Sequence, residues 1–192
     1  MTLDRLADDV RAFLPRLARH TLETAVRGRP RPSPADTAIE LGLLLPSGLD
    51  APRGVFVTLT RNGRLRGCIG VIQALKPLAE AVQDNALAAA FRDPRFEPLT
   101  DDELDDTEIE VSVLTPMHHV EGPDLIEIPR HGVLLAKAGR RSVFLPQVAA
   151  EQGWDRPTTL TQLALKAGLG PDDWREGAEF SVFEAEIVRE RH

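Results

Sequence analysis

Along the first part of the chain, apolar side chains recur at Leu3, Leu6, Val10, Phe13, Leu14, Leu17, Leu22 and Val26, close to the helical period and interrupted only by Pro15. The spacing predicts one kinked helix, or two short ones, over residues 3–27. Pro30, Pro32 and Pro34 then alternate with Arg31 and Ser33, which predicts an extended surface connection because each proline fixes its own φ. From Val55 to Arg61 the period changes to two: Val55, Val57 and Leu59 alternate with Phe56, Thr58 and Thr60. Asn62-Gly63 supplies both positive-φ positions of a tight turn, so a returning strand is expected from Arg64 to Ile72. On it, alternation puts Leu65, Ile69 and Val71 on one face and Arg66, Cys68 and Ile72 on the other.

After Pro77, an alanine-rich stretch with Leu78, Val82, Leu87, Ala90 and Phe91 predicts a helix ending near Asp93-Pro94. Thr100 to Glu103 has the spacing of a capping box, which reads its acids as solvated residues at a helix start. Further strands are expected at Glu108–Leu114, Val133–Ala138, Arg141–Leu145 and Phe180–Val188, with a turn at Gly139-Arg140. Short helices are expected at Gln147–Gln152 and Thr159–Ala167. Hairpins mixed with helices, without a repeated βαβ rhythm, point to an α+β fold.

Composition narrows the class. With 192 residues and 42% hydrophobic content, the chain is long enough to bury a core as one domain, or as one domain with two lobes. One cysteine excludes an internal disulfide, and no basic-then-apolar leader or long apolar run is present. A soluble, unexported cytoplasmic protein without a membrane anchor is therefore expected. Net charge is −7, yet residues 53–96 carry +4, leaving −11 for the rest. Such a local cationic stretch suits a small anion. It does not suit nucleic acid, for which the overall charge and the scarcity of aromatic residues are both unfavourable.

The candidate chemistry centres on Cys68, set between Gly67 and Gly70 and two residues after Arg66. A thiolate is the reactive form of cysteine, a neighbouring guanidinium favours it, and glycines let a substrate or another backbone come close. The alternative is a small buried hydrophobe. A base for the thiol would come from His118, His119, His131, His20 or His192, none of them near Cys68 in sequence. Glu110 sits on the polar face of a predicted strand, where it could take a proton or pair with an arginine. Arg92 and Arg95 flank the end of the predicted helix, as helix-dipole partners or as ligand contacts. His118-His119 with Glu121 lacks metal-ligand spacing, and no phosphate-binding loop is present, so no metal and no other cofactor is expected.

Leu65-Arg66-Gly67-Cys68-Ile69-Gly70, Asn85 and Ala90-Phe91-Arg92-Asp93-Pro94-Arg95-Phe96 resemble the signature of the AMMECR domain family. So do Ile109 to Pro116, His131-Gly132-Val133, Phe144 to Val148, Glu151 with Trp154, and Lys166 to Leu169 with Trp174. The resemblance covers residues 10 to 190 or so. In bacteria and archaea this family is known as protein A of the AmmeMemoRadiSam system, so a Memo-like protein and a radical SAM protein are the implied partners. The resemblance implies a single two-lobed α+β domain over residues 1–192, a mostly antiparallel sheet with flanking helices, with a cleft between the lobes lined by Arg66, Gly67, Cys68, Arg92, Asp93, Arg95 and Glu110. The family's activity is not established, and two expectations follow. One is a cysteine-dependent enzyme or catalytic subunit: Cys68 as nucleophile, Arg66 stabilising it, Glu110 or His131 moving protons, and Gly67, Gly70, Arg92, Asp93 and Arg95 holding an anionic substrate. The alternative is a non-catalytic module that binds or presents a peptide, a nucleic-acid segment or a partner protein.

Overall fold

The computed structural model describes residues 5–190. Leu3, the first apolar position of the N-terminal periodicity, and His192, a candidate base, lie outside them. The chain forms an α+β fold in two compact units, the first running through Leu114 and resuming at Glu186, the second spanning Thr115–Ala185.

In the first unit, the N-terminal periodicity becomes one helix, α1 (Asp8–Val26), with Pro15 inside it. Phe13, Leu14, Leu17 and Leu22 are essentially inaccessible, and each contributes about 1.5–3 kcal/mol by leaving water. The proline-rich stretch is not wholly extended. Ser33 accepts from the Asp36 N–H while Asp36 reaches back to Ser33, and Pro34 opens α2 (Pro34–Glu40). A proline at the first helical position lacks only an N–H that would be unpaired there anyway. The hairpin of β1 (Val55–Arg61) and β2 (Arg64–Val71) turns at Asn62-Gly63, both at positive φ. Helix α3 (Leu78–Phe91) follows, then a 3-10 turn at Asp101–Glu103 and β3 (Thr107–Leu114).

The predicted strand at 180–188 divides at Glu184 into β7 (Glu179–Phe183) and β8 (Ala185–Arg189), which join different sheets. Two alternating runs separated by one residue read as a single strand, and only pairing partners reveal the switch. The first sheet has the order β2-β1-β3-β8, all antiparallel. At the β3–β8 pair, the Glu190 N–H donates to the Ile109 carbonyl. Val55, Val57, Leu59, Ile109, Val111 and Val113 fill the core under α1 and α3. Phe56, Thr58, Glu110 and Ser112 therefore occupy the opposite face.

The second unit holds β4 (His118–Val120), β5 (Gly132–Lys137), β6 (Arg140–Phe144), α4 (Pro146–Gln152), α5 (Arg156–Lys166) and β7, with sheet order β4-β7-β5-β6. The β5–β6 turn falls at Ala138-Gly139, one residue earlier than its glycine suggested, because Ala138 itself takes positive φ. Leu135, Leu160, Leu163, Trp174, Phe180 and Val182 form its core. No helix among the described residues is long and apolar enough to cross a membrane, and no group of three metal-ligating side chains is found among them.

Candidate functional site

Cys68 lies on β2, at the edge of the first sheet, directly opposite Thr58 of β1. Thr58 in turn faces Glu110 of β3, so Cys68, Thr58 and Glu110 form one row on the face away from the helices. The Thr58 hydroxyl is hydrogen-bonded to the Cys68 Sγ at 3.4 Å. At the far end, Glu110 Oε2 accepts from Arg189 Nε at 2.8 Å and lies 2.7 Å from Nη2, which fixes its carboxylate on the row.

The backbone of Cys68 is held from outside the sheet. Its N–H donates to Asp93 Oδ2 at 2.9 Å and its carbonyl accepts from Arg95 Nη2 at 3.3 Å. Two side chains from the turn after α3 thus occupy the groups a further strand would use, and they protect the edge at this residue. Asp93 is nearly inaccessible, its side chain 1% exposed. It also accepts from the Arg95 N–H, Nε and Nη2, at 3.1, 2.9 and 2.7 Å. The Arg95 guanidinium beside it, together with the backbone donors, holds the Asp93 carboxyl far below the usual carboxylate range despite burial. Arg95 itself is half-exposed and lies over the Phe96 ring, 5.5 Å from its centroid.

Arg66 is engaged elsewhere. The register shifts between Leu59 and Thr60, so Gly67 pairs with Leu59 and Leu65 with Thr60, leaving Arg66 as the extra residue of a bulge. Leu65 therefore shares the face of Thr60, not that of Ile69 as strict alternation required. The Arg66 guanidinium forks onto Glu103, with Nε to Oε1 at 3.0 Å and Nη2 to Oε2 at 2.8 Å, and this pair lowers the Glu103 carboxyl to about 2. Glu103, expected to be a solvated capping residue, is 15% exposed and also pairs with Arg61. It still closes the capping box with Thr100. A capping glutamate has two oxygens, and nothing local in the sequence shows that arginines from a hairpin reach both.

Gly67 faces α3, where an added Cβ would run into the Ala89 carbonyl; one at Gly70 would meet the Phe56 ring. Both glycines thus serve close packing around Cys68. Arg92 caps the C-terminus of α3 and is exposed. His131 belongs to the second unit, where its Nδ1 accepts from the Glu127 N–H at 3.0 Å. Burial pushes its pKa down, so the ring is neutral with its proton on Nε2. Thr58, Glu103 and Arg189 carry no mark of a site role in the sequence pattern. Counting from the Asn62-Gly63 turn sets Val57 opposite Cys68, and only the bulge at Arg66 brings Thr58 there, so none of the three was legible.

Comparison with known proteins gives a consistent picture over nearly the whole chain. The family model described as AMMECR1 matches residues 15–188. A protein of Methanosarcina acetivorans is 41% identical over 181 residues, covering 92% of this chain and 89% of its own. One of Thermococcus onnurineus is 42% identical over 200 residues, covering 98% and 94%. The crystal structure of the uncharacterized protein PH0010 from Pyrococcus horikoshii superposes with a TM-score of 0.83 at 37% identity, covering 97% of this chain and 94% of that one.

Proposed function

The chain belongs to the AMMECR1 family, and on that footing we propose that the first unit carries a thiol-dependent catalytic site for an anionic substrate. The observation that carries this reading is the half-buried thiol on the sheet face away from the helices, held at Sγ by Thr58 and at both backbone groups by Asp93 and Arg95. So many bonds spent on one edge residue restrict where its sulfur can be, which is what a nucleophile needs. In this reading Cys68 attacks, its proton passing to Glu110 by way of the Thr58 hydroxyl that stands between them on the row, and the exposed Arg92 with the outer face of Arg95 attracts the substrate's negative charge. Arg66 acts through Glu103 by fixing the bulge, and Gly67 and Gly70 set the depth of the strand. His131 is a poor acceptor because its Nδ1 lone pair is occupied. The cytoplasm, with a Memo-like protein and a radical SAM protein as partners, completes the proposal.

A second reading, a binding module for an anionic group, is favoured by one observation. Arg95 stays half-exposed over Phe96 while bonded to Asp93, an arrangement that presents a guanidinium without any chemistry.

Two alkylating agents of different charge test the proposal. Native protein is expected to react with iodoacetate faster, relative to iodoacetamide, than free cysteine does, by about tenfold, because the cationic surroundings concentrate the anion. Arg92→Gln is expected to reduce that preference, and Cys68→Ser to abolish labelling. A thiol inert until the protein is unfolded would overturn the catalytic reading. Reaction without any preference for the anion would overturn the substrate class.

A further inference from the structure

The chain has two tryptophans, and the second unit uses them differently. Trp174 is a core residue, 6% exposed, with its indole N–H donating to Thr161 Oγ1 at 3.1 Å. Trp154 is only half-buried and lines an open cavity of about 620 Å³ between the 126–129 segment and the junction of α4 with α5. Phe144 supports its ring at 5.7 Å between centroids, tilted by 53°. A large aromatic side chain braced by a second ring and lining an open cavity is well suited to an incoming group.

The rest of the lining defines that group. Ile128, Pro129 and Ala150 supply apolar wall, and the charges at the rim are predominantly negative. Asp155 is exposed, one of its oxygens bonded to the Thr158 N–H at the start of α5. Glu127 is 62% exposed and shares a single cation, Arg130, with Glu184. The one cation in the lining, Arg156, is committed: its Nη1 donates to the Asp124 carbonyl at 2.9 Å and its Nη2 to Asp124 Oδ1 at 3.0 Å. The site therefore offers an aromatic face, a short apolar wall and carboxylates in excess of free cations.

We propose that this cavity binds a lysine or arginine side chain carried by a peptide segment of a partner protein. The aliphatic stem lies along Ile128, Pro129 and Ala150, and the cation sits against the Trp154 ring within reach of Glu127 and Asp155. Charge complementarity selects this occupant: an acidic segment would meet two carboxylates of its own sign, and a purely apolar one would leave the rim carboxylates unused.

Two tryptophans produce two indole N–H resonances in a ¹H–¹⁵N spectrum, which Trp154→Phe assigns. The acetylated, amidated peptide Ala-Leu-Arg-Leu-Ala is expected to shift the Trp154 resonance saturably while leaving that of Trp174 in place. Glu127→Gln combined with Asp155→Asn, which retains a competent helix cap, is expected to weaken binding at least tenfold. In the unaltered protein, added salt should weaken it in the same direction, so the result does not hang on the double variant folding. A Trp154 resonance unmoved at millimolar peptide would overturn the proposal. So would equal binding by the same peptide with norleucine or glutamate in place of arginine.

Discussion

Gly67→Ala is expected to destabilise the first unit by about 3 kcal/mol, near the upper end for overpacking. The new methyl group would fall well inside contact distance of the Ala89 carbonyl. That atom belongs to the backbone of α3 and cannot rotate aside as a side-chain end would. Either α3 lifts from β2, opening the core around Ala86 and Ala90, or β2 bends away and takes Cys68 off its partners. Gly63→Ala is the matching control. Its φ is 71° and nothing lies within 4 Å of the added atom, so it carries only the cost of a left-handed alanine, about 1–2 kcal/mol. Urea unfolding of both variants, followed in parallel, should rank Gly67 well above Gly63. The reverse order would show that α3 and β2 are not in the close contact described.

Asp93→Asn is expected to cost about 2–3 kcal/mol, within the range for losing charge-assisted hydrogen bonds at a buried acceptor. The amide keeps the shape, but it can no longer accept at both oxygens, and its NH₂ faces donors from Cys68 or Arg95. Acid reveals the same interaction. The folded-state pKa of Asp93 lies below its unfolded value of about 3.9, so its contribution is fully present above that value and is lost as pH falls through the acid range toward the folded pKa. The gap in stability between the native protein and Asp93→Asn should accordingly be widest near neutrality and narrow progressively below about pH 4. A gap independent of pH would mean that ionisation of Asp93 is not what holds the turn. Glu103, lowered to about 2 by Arg66, titrates in the same direction and adds to the acid lability of both proteins alike.

These two residues also mark how far local pattern reaches. Helix α3, the hairpin turn and the alternating cores of β1 and β3 follow from periodicity and turn chemistry, because a side chain's burial there depends on neighbours within a few positions. The cysteine, the glycines beside it and the arginines after α3 were visible as an unusual concentration of reactive and conformationally special residues.

Their partners were not visible, since each depends on pairing between distant segments. A one-residue bulge, too small to disturb the apolar pattern, removed Arg66 from strict alternation and gave it to Glu103. Asp93 closes over the backbone of a strand 25 positions away in the chain. The 180–188 segment reads as one strand yet serves two sheets, because the change of partner at Glu184 leaves no mark on alternation. Composition and periodicity determined most of the elements, though not α2 or β4, and most of their apolar faces, since both follow from short-range geometry and the removal of apolar surface from water. Tertiary structure decided which charges meet. An ion pair needs only two side-chain ends in reach of one another, a condition that no spacing along the chain encodes.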